Sequence, residues 1–343
     1  MQRIQKLGIK DGMLFVDNPI DIYYFTGKKV SKGALLVFPN KVVFFVDARY
    51  IDSCKKIEGI EVHLEEKGSL DAYLKNVSPK KIYIDGKTLS YNQYKHLEQL
   101  LTKVEIEGYN KIEKIRSIKD AFEIKKMKAA GSLNYKGYEY AISILKEGVT
   151  EKEVAWEYEK FCRENGAESL SFDPIIAFGE NSAYPHHQSS DKKLEKGVPV
   201  LIDCGATVDS YTSDMTRVLF FEKEKNPSKY KEWKRDFDLV KSSYDKAFDK
   251  VKIGEEFALL DEEVVAFAKE NGVEKYLRHS LGHGLGLEVH EFPRLSCLQK
   301  NIPIDENIVF TIEPGLYFPG KWGIRYENTI LITKDGPIVL SSS

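Results

Sequence analysis

Two stretches place acidic residues inside otherwise apolar strand patterns, and that conflict constrains the chain more than any other feature. In LIDCGATVDSYTSDMTRVLF, Asp203 and Asp214 are symmetric about a turn centred on Val208–Asp209. In TIEPGLYFPGKWGIRYENTILIT, Glu313 and Glu327 are symmetric about Gly320, inside the turn signal Pro319–Gly320–Lys321. Simple hairpins make each couple a direct cross-strand pair, with Cβ atoms about 5 Å apart. Like charges side by side in apolar strands are costly unless a cation compensates them. For one pair, a salt bridge or a surface face suffices, with Arg217 and Arg325 at hand. For both pairs together divalent metal is the better account, because four carboxylates can bridge two ions about 3.5–4 Å apart.

Nitrogen donors cluster as well. HSLGHGLGLEVHE carries His279, His283 and His290 among Gly282, Gly284 and Gly286, and AYPHH adds His186 and His187. Five of the seven histidines thus fall in two short segments, which favours a site over scattered core or surface roles. Glycine allows close backbone approach, and imidazole supplies the metal-binding nitrogen. Carboxylates with one imidazole suit Mn, Co, Fe or Zn. His283 and His290 are seven positions apart, an odd spacing. In an extended segment they point to opposite faces, which disfavours both binding one ion. The cysteines (Cys54, Cys162, Cys204 and Cys297) lie far apart with no C-x-x-C. They read as reduced, mostly buried thiols of a cytoplasmic protein, not as a zinc knuckle or disulfide frame.

At 343 residues the chain is long enough for two domains or one large one. Within residues 1–115, DGMLFVD, GALLVFPNKVVFFVDA and KKIYIDG read as strands, and RYIDSCKKI and LSYNQYKHLEQLL as helices, an α/β alternation. A charged segment then runs into a long helical pattern, with a capping box expected at Ser117–Asp120 and a stop at Gly148. The boundary falls near Ser117, giving domains 1–117 and 118–343. Thr150 and Glu153 form a second capping box, ahead of a face of Val154, Tyr158, Phe161 and Cys162. A further helix spans about Glu255–Glu270, and the rest is strand-like. FEKEKNPSKYKEWKRDFD reads as a solvated loop and helix face. Lys and Arg (51) nearly balance Asp and Glu (53), which argues against a general nucleic-acid or anionic-membrane binder. No apolar run has signal-peptide or membrane-spanning length.

The order Asp203, Asp214, His283, Glu313, Glu327, within DCGATVDSYTSDMTR, GHGLGLEVHE, TIEPGLY and GIRYENT, resembles the pita-bread metallopeptidase family. Within it the match is to the prolidase and aminopeptidase P branch, and YYFTG and DARY are similar to that branch's creatinase-type N-terminal domain. The resemblance implies an α/β (α+β) chain: a creatinase-type α/β domain followed by a pita-bread catalytic domain. It implies two divalent ions per chain, manganese first, with cobalt, zinc or iron as alternatives. Asp203, Asp214, His283, Glu313 and Glu327 hold them, with Asp214 and Glu327 bridging. By the same resemblance His186 lies near the scissile bond, His290 contacts the reacting carbonyl and Arg325 lines the site. Glu313 moves the proton for a metal-bridging hydroxide. Asn328 stands where many members have Asp, which touches only hydrogen bonding behind the ligands. The implied substrate is an Xaa-Pro dipeptide or a peptide with proline second, the compact chain favouring the dipeptide, and the implied assembly is a homodimer. A metal-free C–N hydrolase of the creatinase type and a noncatalytic binding protein on the same fold are the alternatives. Both are disfavoured because all five ligand positions are intact.

Overall fold

The structure, a computed structural model, describes residues 2–342 and divides between Arg116 and Ser117 into two compact units. The first is built on a six-stranded sheet in the order Glu61–Leu64, Val42–Val46, Gly33–Val37, Met13–Val16, Lys81–Ile84, Glu105–Gly108. Every residue of Met13–Val16, Gly33–Val37 and Val42–Val46 is buried, as continuous Val, Leu and Phe runs require when both faces are covered. The helices Ser69–Val77 and Tyr91–Leu100 set Leu74 and Leu97 against Phe45 and Ile82. RYIDSCKKI forms only a single turn, Ile51–Cys54.

In the second unit, two long antiparallel hairpins are each backed by a helix pair. Val198–Cys204 lies between Ile175–Phe178 and Met215–Phe221. The helices Ala121–Ser143 and Glu151–Glu164 pack Leu133, Val154 and Tyr158 onto Ile176 and Ile202. The other hairpin, Val309–Ile312 with Asn328–Thr333, sits inside a five-stranded sheet. Here Pro227–Asp249 and Phe257–Glu270 supply Tyr244, Leu260 and Val264 against Phe310 and Ile330. Among the described residues, no helix is long and apolar enough to cross a membrane.

Local signals hold in part. Thr150 and Glu153 form the expected capping box, but the preceding helix is capped by Asp120 with Glu123, not by Ser117 with Asp120. Asp120 accepts from both Phe122 and Glu123 backbone N–H groups, which Ser117 stands too far upstream to do. That helix stops at Ser143, short of Gly148. The charged stretch is only partly a solvated face. Its helix buries Trp233 and Asp236, and Asp236 accepts the Trp322 indole N–H at 3.2 Å.

The hairpin registers matter most for the site. In the second hairpin, Ile312 faces Asn328 and Gly315 faces Arg325, so Glu313 and Glu327 oppose each other at a break between ladders. In the first, Asp203 faces Thr216 rather than Asp214. The turn is Asp209–Ser210, with φ of 47° and 72°, the paired positive values of a type I′ hairpin. That moves the centre one step along from Val208–Asp209. Asp214 therefore lies on the same face as Asp203 but diagonal to it, about 7–8 Å away in an ideal ladder.

Candidate metal centre

The two hairpins interlock at their acidic residues. At the ladder break, Glu313 N donates to Leu281 O at 2.8 Å and Glu327 N to Thr216 O at 3.2 Å. Thr329 Oγ1 donates to Asp214 O at 2.8 Å. Backbone N–H groups of the second hairpin, at its ladder break, thus tie it to its neighbours. Within the first hairpin the two strands approach closely at Gly205, where a Cβ would lie 2.2 Å from Ser213 O. Asp214, His283 and Glu327 bring one donor atom each within 4.8 Å of one another. His283 Nε2 is 3.6 Å from Asp214 Oδ2 and 3.4 Å from Glu313 Oε1.

The protonation chemistry of this cluster fits a cation. His283 donates from Nδ1 to Gly284 O at 3.2 Å, which leaves the Nε2 lone pair facing carboxylate oxygens. Burial, then His290, lowers its pKa to about 4, so the imidazole is neutral. Burial, then Glu327, Asp203 and Glu313, holds Asp214 well above the ordinary carboxylate value. Burial and Glu327 do the same to Glu313, while burial and Asp203 push Glu327 up to about 7. Asp203 Oδ1 is buried with no hydrogen-bond partner among the described residues. Lone pairs converging on lone pairs with one oxygen orphaned is the donor set of a divalent-metal site.

Arg325 and its partners frame the cluster. Arg325 donates to Asp203 Oδ2 at 2.5 Å, Tyr317 OH at 2.6 Å and Thr216 Oγ1 at 2.9 Å, and Thr216 in turn donates to Glu327 Oε2 at 2.6 Å. Tyr317 OH donates to His279 Nε2 at 2.8 Å, since His279 Nδ1–H is directed at Ser280 O. Burial, then Arg325, lowers the His279 pKa to about 4, which keeps that nitrogen an acceptor. Arg217 makes no direct ion pair with a carboxylate among the described residues, although its charge opposes the rise in the Glu327 pKa. It donates to the Glu327 carbonyl and to Asn328 Oδ1, and Asn328 also accepts from Ser341.

Each sequence-derived site residue lines one cleft of about 1050 Å3: Asp203, Asp214, His283, Glu313, Glu327, Arg325, His290 and His186. His186 and His290 are exposed at it, whereas the ligand candidates are buried or nearly so. His187 turns inward to Glu151 at 2.8 Å and is no part of the cluster. The opposite-face argument for His283 and His290 does not hold, because the chain doubles back between them. Gly284 pairs with Glu291, and the two rings meet edge to face with centroids 4.3 Å apart. Tyr317, Thr216 and Glu151 were not singled out by sequence reasoning. Strand register places Thr216 and Tyr317, and the packing of its helix against residues 178–190 places Glu151.

Residues 125–334 match the model of metallopeptidase family M24, and residues 2–118 match the creatinase/prolidase N-terminal domain. The chain belongs to family M24. An Xaa-Pro dipeptidase of Pyrococcus horikoshii is 35% identical over 331 residues, covering 95% of this chain and 91% of that protein. The solved Xaa-Pro dipeptidase of Bacillus anthracis superposes with a TM-score of 0.92 at 30% identity, covering 100% of this chain and 98% of that one. The X-Pro aminopeptidase of Thermotoga maritima gives 0.87 at 31% identity, with 99% and 98% covered. Family membership agrees with the mixed α/β architecture and the carboxylate-rich cluster.

Proposed function

We propose that this M24 chain hydrolyses the bond before proline in Xaa-Pro dipeptides or in peptides with proline second, with two divalent ions held by Asp203, Asp214, His283, Glu313 and Glu327. The observation that carries this is the convergence of four carboxylates and one neutral imidazole on a single cleft. The oxygen-rich set favours manganese, with cobalt, zinc or iron able to substitute. Both substrate lengths occur among the named relatives.

When bound, such ions acidify a shared water and polarise the scissile carbonyl. Glu313 takes a proton at a carboxylate oxygen and returns it to the leaving nitrogen, which on proline cannot start out protonated as an amide N–H. His290 donates to the carbonyl oxygen as it gains charge. His186 orients the peptide on the same wall of the cleft. Arg325 holds Asp203 in place, and Thr216 fixes Glu327.

The test is hydrolysis of Ala-Pro, Ala-Pro-Ala and Ala-Ala by protein stripped with a chelator and reloaded with Mn. Cleavage of either proline peptide but not Ala-Ala, lost on stripping and restored on reloading, supports the reading. Equal cleavage of Ala-Ala, or full activity in metal-free protein, overturns it. The ratio of dipeptide to tripeptide turnover assigns the substrate length.

A further inference from the structure

We infer that Glu151 is a positioning residue for the reaction: it anchors the loop that carries His186 to the cleft. Glu151 sits in the first turn of the helix Glu151–Glu164 and is fully buried. Its Oε1 accepts Phe178 N at 2.8 Å and Asn181 Nδ2 at 2.9 Å. Its Oε2 accepts His187 Nε2 at 2.8 Å, Ser190 N at 2.9 Å and Ser190 Oγ at 2.6 Å. One acceptor-only group thus gathers donors from both ends of the segment 178–190, with His186 between them. Burial alone would raise its pKa, but the donors from Ser190, His187, Phe178 and Asn181 outweigh that and leave it below the ordinary value.

The loop has a second fixed side. Ser182 Oγ accepts Gly323 N at 2.9 Å, and Pro185 O accepts from Arg325 at 3.4 Å. A Cβ on Gly323 would lie 1.9 Å from Ser182 O, so this contact is as close as backbone allows. His186 therefore follows a residue bonded to the arginine that holds Asp203, and precedes one bonded to Glu151. Glutamine replaces Glu151 poorly: in either amide orientation its NH2 faces a backbone N–H, that of Phe178 or that of Ser190, which can only donate. The loop must then shift, and displacement of a substrate-contacting group by about 1 Å can cost on the order of 10²-fold in rate.

The inference rests on the proposed peptidase reading for its kinetic arm only. The experiment compares wild type, Glu151→Gln, His186→Ala and the double variant by kcat/KM on Ala-Pro, metal content, and amide hydrogen exchange across residues 179–190. Glu151→Gln is expected to speed exchange in that segment, retain the metals and lower kcat/KM about 10²-fold. In the His186→Ala background it should lower kcat/KM no further. Losses that multiply in the double variant, or unchanged exchange in Glu151→Gln, overturn the inference. Ser190→Ala, which removes one donor, gives the same pattern more weakly should Glu151→Gln fold poorly. Inactive wild type with the exchange result intact would sink the substrate reading and not the anchor.

Discussion

The segment that carries His283 and His290 should depend on a buried ion pair beside it. Lys119 Nζ lies 3.1 Å from Glu291 Oε2, with side chains 1% and 5% exposed. Glu291 Oε1 meanwhile accepts the backbone N–H groups of Leu287 and Glu288 at 2.8 and 3.1 Å. Glu291→Gln preserves those two acceptor bonds but leaves a buried ammonium facing an NH2. At this separation the attraction is about 5 kcal/mol with an effective dielectric near 20. Breaking one side of a buried pair typically costs about 3–5 kcal/mol. The expected loss is therefore about 3 kcal/mol, a fall in Tm of roughly 6–12 °C for a unit of this size. Lys119→Met should cost a similar amount. The double variant should lose less than the two single losses added together, since neither changed side chain then faces an unmatched partner. Thermal and urea unfolding of the four proteins, with matched metal content, measure this. Single variants within about 0.5 kcal/mol of wild type, the range of ordinary surface substitutions, would refute the reasoning, as would strictly additive losses.

Other expectations follow from the same geometry. His283→Ala should lose metal, because its Nε2 faces Asp214 and Glu313, while His290→Ala should keep metal and lose about 10²–10³ in kcat; metal content and kcat on both variants decide it. Gly205→Ala should cost more than the usual overpacking penalty of about 1–3 kcal/mol and weaken metal binding, since its Cβ meets Ser213 O beside both aspartates; melting and metal titration check this. Glu151 has a folded pKa below its ordinary value, so its stabilisation is present at neutral pH and lost as pH falls through that lowered value. The stability gap between wild type and Glu151→Gln should accordingly narrow below about pH 4, as urea unfolding across pH will show.

The sequence made the acidic hairpins legible because charge inside Val, Ile and Phe runs has no bland explanation when it occurs twice. Symmetry about Gly320 gave the correct facing of Glu313 and Glu327. The same reasoning missed by one step at Asp203, because the turn residues Asp209–Ser210 lack the Asn-Gly signature of a type I′ turn. In the first unit, the strands Glu61–Leu64 and Glu105–Gly108 were not foreseen. They are edge strands of four residues, only partly buried, and an alternation as short as Val62–Leu64 or Val104–Ile106 does not stand out from its charged surroundings. Glu151 and Tyr317 were invisible for another reason: their partners lie 27 to 39 and 8 to 38 positions away, and only tertiary structure joins them.

The central claim, that this cluster is a dinuclear peptidase site, is tested most directly by counting metal and turnover on the same sample. Elemental analysis of Mn-loaded wild type should give two ions per chain with Ala-Pro or Ala-Pro-Ala hydrolysis. Glu327→Gln, at the position proposed to bridge the ions, should lose both ions or nearly all turnover. A folded Glu327→Gln protein that retains two ions and wild-type rates would contradict the account.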